Sequence, residues 1–117
     1  VGAGTITGGS ANTKTVRVRF VEGANNTLLF DSGASAGSVA ADWEISCTII
    51  RVSATTAKAT CKMLSNNAAA WGVALMDFTT TFTYTWANAG TFKVTGQTSG
   101  ALNDEVNNEF LIMTKAI

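Results

Sequence analysis

The chain has 117 residues, a mass of 12.1 kDa and no formal net charge, with eight Lys and Arg against eight Asp and Glu. That length makes one domain able to bury a core without metal or disulfide staples. The charge balance lacks the electrostatic footprint of a nucleic-acid binder, and no apolar run approaches the roughly 18 residues of a membrane-spanning helix.

Val1 to Thr13 is rich in Gly, Ser and Thr and carries little apolar mass, so it reads as a flexible N-terminal arm preceding a domain over residues 14–117. The sequence opens on Val1 rather than Met, as expected of a processed product, a fragment or an incompletely identified chain. From Lys14 the period becomes two. Val16, Val18 and Phe20 point one way and Arg17 and Arg19 the other, which predicts a half-buried strand. Glu22 to Asn26 makes a turn, Thr27 to Asp31 a short strand, and Ser32 to Ala41 a loop of small residues. Asn25-Asn26-Thr27 also matches an N-glycosylation acceptor, with nothing else arguing for a eukaryotic secretory route.

Asp42 to Val52 is the clearest element, with Trp43, Ile45, Cys47 and Ile49 on one face. Thr56 to Leu64 follows across a connection short enough for a hairpin. Centring the turn on Ala54 sets Ile45 opposite Met63, Cys47 opposite Cys61 and Ile49 opposite Ala59, so the two apolar faces coincide. Asn66 to Ala70 reads as a loop. Strands are then predicted over Trp71 to Asp77, Phe78 to Trp86, Thr91 to Gln97 and Asn107 to Ile117. Leu102 to Val106 has room for one helical turn. The last strand is apolar on both faces, with Phe110 and Ile112 on one and Leu111 and Met113 on the other. Such a strand is covered on both sides, either centrally within one subunit or against another. About eight strands without a persuasive helix predict an all-β fold, an antiparallel jelly roll or β-sandwich.

Histidine is absent, which excludes Ser-His-Asp and Cys-His catalysis within one chain. Two cysteines alone cannot build a structural zinc site. Facing each other across the hairpin, Cys47 and Cys61 are placed either for a cross-strand disulfide or as two buried thiols. Asp42 and Glu44, and separately Asp104, Glu105 and Glu109, offer carboxylate pairs, but their spacing matches no calcium loop and reads as solvated edges and turns. Trp43 is in phase with the core. Trp71 and Trp86, with Tyr84 and the turn residues Asn66, Asn67 and Asn88, are the candidates for a ligand or subunit-contact surface. No catalytic residue, cofactor site or metal site is predicted, and the chain reads as a non-enzyme.

Four stretches carry a family resemblance: Val16-Arg17-Val18-Arg19-Phe20, Leu28-Leu29-Phe30-Asp31-Ser32-Gly33, Trp43-Glu44-Ile45 leading to Ile50-Arg51, and Gly90-Thr91-Phe92-Lys93-Val94-Thr95-Gly96-Gln97. With the closing apolar strand they resemble, in outline, the small jelly-roll domains of phage and other viral structural proteins: tail-fibre and spike tips and capsid decoration proteins. The resemblance implies a homotrimer or larger assembly on the virion surface, in contact with other virion proteins and acting by host attachment or shell reinforcement. A host-surface glycan is a further implied partner, while nucleic acid and membrane insertion are not. Two other functions fit the residues. One is a carbohydrate-binding module of a secreted protein using Trp71 and Trp86. The other is a subunit of an extracellular filament whose N-terminal arm docks into the next copy by strand addition.

Overall fold

The computed structural model describes residues 1–100 and 106–114. In chain order the elements are β1 (Gly2–Ile6), β2 (Lys14–Glu22), β3 (Asn25–Asp31), β4 (Ala41–Arg51), β5 (Thr56–Ser65), the one-turn α1 (Ala68–Trp71), β6 (Leu75–Thr83), β7 (Thr91–Thr98) and β8 (Val106–Leu111). They form two antiparallel sheets, one ordered β6-β5-β4-β1-β8 and the other β3-β2-β7. β3 lies over β5 and β6, and β7 lies beside β8, which makes a β-sandwich.

Alternation along each strand decides what the sheets bury. Val16, Val18 and Phe20 of β2 with Leu29 and Phe30 of β3 face Trp43 and Ile45 of β4, Ala57, Ala59 and Met63 of β5, and Phe82 of β6. The β4–β5 hairpin has the expected register, with Ile45 opposite Met63, Cys47 opposite Cys61 and Ile49 opposite Ala59. Cys47 and Cys61 are joined in a disulfide across that pair, their Cα atoms 4.1 Å apart.

Four expectations are corrected. First, part of the stretch read as a flexible arm is a strand: Gly2–Ile6 pairs with β4 on one side and β8 on the other. In the single chain its pairing edges are taken up by its own sheet. Gly2, Gly4 and Ile6 face inward, and the space beside Gly4 is filled by the Trp43 indole of β4. Beside Gly4 the apolar mass therefore comes from the neighbouring strand, while Ile6 adds its own side chain to the core. Second, Trp71 ends α1 instead of starting a strand, because the Asn67 side chain accepts a hydrogen bond from Ala69 N–H and caps the turn. Third, the two strands expected over residues 71–77 and 78–86 are the single strand β6, so the total of eight described strands includes β1 in place of one of them. Fourth, the closing strand spans only Val106–Leu111 among the described residues, and it is an edge of its sheet. The helical turn expected from Leu102 lies, apart from Val106, outside the described residues.

On the solvent face of the smaller sheet, Arg17 Nε donates to Asp31 Oδ2 at 2.6 Å and its Nη1 donates to Gln97 Oε1. Burial pushes the Asp31 carboxyl upward. The hydrogen bonds from Arg17 and Gly33 N–H, with the charges of Arg17 and Arg19, outweigh it and hold the pKa below the ordinary 3.8. A lowered folded-state pKa stabilises fully above the unfolded value and is lost as pH falls through the folded one. Asp31→Asn should therefore lower the urea midpoint at neutral pH, and the gap to wild type should close as pH falls below about 4. A gap that stays constant from about pH 6 to about pH 2.5 would remove this linkage.

Candidate functional site

The larger sheet has five strands and the smaller three, and the sandwich is left open along one side. The opening is a cleft of about 760 Å³. One wall is Val18, Phe20, Phe92 and Val94 of β2 and β7, and the other is Ile45, Cys47 and Ile49 of β4. Val1 and the stretch from Leu111 to Thr114 run along its mouth, where Ile112 N–H donates to Val1 O and the Val1 amino group to Ile112 O, each at 2.7 Å. Apart from that amino group, no charged group among the described residues lines the cleft. Leu111, Ile112 and Met113 are 41%, 58% and 63% exposed, so three consecutive apolar residues stand in solvent at its lip.

One end of the cleft is aromatic. The Phe20 ring sits 4.8 Å from Tyr84 and 5.1 Å from Phe92, both edge-on, and Tyr84 lies 4.8 Å from Trp86. Gly90 is required here, since a Cβ would fall 2.1 Å from Phe20 Cζ. The segment carrying Tyr84 and Trp86 is clamped from below by the buried Glu22 carboxylate, which accepts from Thr85 N–H at 3.1 Å and from Asn88 Nδ2 at 2.7 Å. Tyr84 OH donates to Asn88 O at 2.8 Å and Trp86 Nε1 to Thr56 O at 3.3 Å.

The remaining candidates lie elsewhere. Asn66 exchanges two hydrogen bonds with Asp42, accepting from its N–H at 2.9 Å and donating to Oδ2 at 2.8 Å. Asn67 also donates to Ala40 O at 3.1 Å, and Trp71 Nε1 donates to Gly33 O at 3.3 Å. Trp71 precedes β6 and Trp86 follows it. A nine-residue strand extends roughly 30 Å, so the two indoles belong to opposite ends of the sandwich and make no common stacking platform. Tyr84, Trp86 and Asn88 are thus one group, and Asn66, Asn67 and Trp71 another.

Asp42 and Glu44 project from the exposed face of β4, and Glu109 is the extra residue where the β1–β8 register shifts. Asp104 and Glu105 lie outside the described residues. Among the described residues no three His, Cys, Asp or Glu side chains come together to hold a metal ion, and no helix is long and apolar enough to cross a membrane.

Sequence reasoning did not single out Val1 or Phe92 as a surface, and it left the strand holding Leu111 and Met113 either central or against another subunit. That strand had a signal, being apolar on both faces. Its position at a sheet edge did not. Comparison of the chain with protein-family models, curated proteins and solved structures finds no match.

Proposed function

We propose that the chain is a virion structural module, a jelly-roll-type sandwich of the spike-tip, fibre-tip or capsid-decorating kind, which self-associates as a homotrimer and acts by attachment through its outer loops. The observation that carries this reading is the cleft with its apolar lip. Leu111, Ile112 and Met113 stand exposed where an edge strand ends beside that cleft, and a contiguous apolar patch of this kind marks an interaction surface. In the assembly, the Leu111–Met113 run of each copy meets the open cleft of the next, a heterologous contact that closes on a threefold axis. A net charge of zero leaves the copies without long-range repulsion.

Light scattering on the eluting protein tests it. The expected mass is three times the 12.1 kDa of one chain at micromolar concentration. Ile112→Asp, a change at a position that is 58% exposed in the single chain, should weaken assembly by at least about thirtyfold. A monomeric wild-type mass ends the proposal.

A further inference from the structure

The four edge strands of the described sheets are not alike. In β3 and β8 the pairing with the neighbouring strand is interrupted by a register shift. β7 carries Lys93 and packs beside β8. β6 has none of these protections. It pairs with β5 without a shift from Thr56↔Thr83 to Leu64↔Leu75, and is nine residues long. It holds one charge, Asp77, which sits 4.0 Å from Lys62 on β5, and the whole chain lacks proline. Natural sheets blunt such edges with lysine, proline, bulges or shortness, because an unguarded row of backbone donors and acceptors pairs with another strand. Apolar side chains also stand open on both faces, Leu75 at 50% and Phe78 at 41% exposed, although Phe78 is in phase with the core and touches Phe30.

We propose that β6 pairs antiparallel with β6 of a second copy, centred on Thr79, joining two five-stranded sheets into one of ten strands. In that register Met76 faces Phe82 and Phe78 faces Thr80 on the inner side. Leu75 faces Thr83 and Asp77 faces Thr81 on the outer side, and Thr79 faces itself across the twofold axis. No like charges are opposed. Each Asp77 has Lys62 of its own chain on one flank. On the other, beyond Thr81 of the partner subunit, is Lys58 of the partner subunit, because Lys58 pairs with Thr81 within each chain. The charges therefore alternate along one row of the joined sheet, which favours a second copy over an unrelated strand. Register is fixed by that row and by the inner apolar pairs.

The contact lies at the edge opposite β8, so it goes beyond the cleft-mediated assembly and is tested separately from it. Sedimentation equilibrium of the full-length chain carrying Ile112→Asp, at a concentration well above micromolar, should show a dimer. Adding Thr79→Lys sets two like charges face to face on the axis and should weaken that dimer about fivefold. Thr79→Asp should do the same. An equimolar mixture of the chain carrying Thr79→Lys with the chain carrying Thr79→Asp should recover the affinity seen before either change, or better it, which a folding defect in either variant would not allow. A monomer before the Thr79 changes overturns the proposal. So does a mass that Thr79→Lys leaves unchanged, or a mixture that fails to recover.

Discussion

Gly4→Ala is expected to cost about 3 kcal/mol or more of folding stability, the upper range for adding a methyl group to a filled site. A Cβ built on Gly4 falls 1.7 Å from the carbonyl oxygen of Asn107 and 2.6 Å from Cζ2 of Trp43. Neither neighbour can yield cheaply. The first is backbone of β8, the strand paired with β1, and the second is a core indole that is only 2% exposed. Relief requires separating β1 from β8 or displacing Trp43, whose Nε1 is already buried without a hydrogen-bond partner among the described residues. The urea midpoint should fall sharply with the slope m unchanged, since the same surface is exposed on unfolding. Thr5→Ala, on the opposite face of the same strand, should stay within about 0.5 kcal/mol. If Gly4→Ala costs no more than Thr5→Ala, β1 does not lie against Trp43 as described.

Removing the disulfide should cost a similar amount. Cys47 and Cys61 are 14 residues apart, and closing a loop of that size restricts the unfolded chain by about 3 kcal/mol in the chain-entropy account. The crosslink ties the two longest strands of the larger sheet at the middle of their pairing. Cys47→Ala with Cys61→Ala, or reduction of the wild-type chain, is expected to lower Tm by roughly 10 °C. Calorimetry of the oxidised, reduced and double-alanine forms distinguishes the sources of the loss. If chain entropy dominates, the reduced and double-alanine proteins melt together. An oxidised protein that melts with them would show that the hairpin holds its shape without the bond.

How far the sequence disclosed this molecule depends on where each signal resides. The β4–β5 hairpin was readable because a strand with Trp43, Ile45, Cys47 and Ile49 on one face admits few partners, and a short turn centred near Ala54 aligns Cys47 with Cys61. β1 was not readable, since Gly2 and Gly4 show no apolar period and the space beside Gly4 is taken by Trp43 and by the backbone of Asn107, both far along the chain. Splitting β6 in two followed from taking Trp71 as a strand start. The Asn67 cap, a local hydrogen bond competing with extended backbone, puts that residue in a turn instead. The aromatic candidates were located but not arranged. Trp71 and Trp86 flank one strand, and only its length shows that they cannot act together. The cleft needed the sheet order, which pattern and composition do not carry: Leu111–Met113 becomes an exposed lip only because β8 is an edge.

The placement of β1 also governs the order in which the molecule can assemble. Its two neighbours come from Ala41–Arg51 and Val106–Leu111, so Gly2–Ile6 stays unsatisfied on one side until the most distant stretch of polypeptide arrives. Proteins dominated by such long-range pairings fold in milliseconds to seconds, well behind helical domains of equal size. In that interval the outer hydrogen-bonding side of β1 is itself a vacant seat, and a nascent neighbour's β8 is the segment that fits it. Crowded synthesis should therefore raise the share of exchanged, interlocked copies.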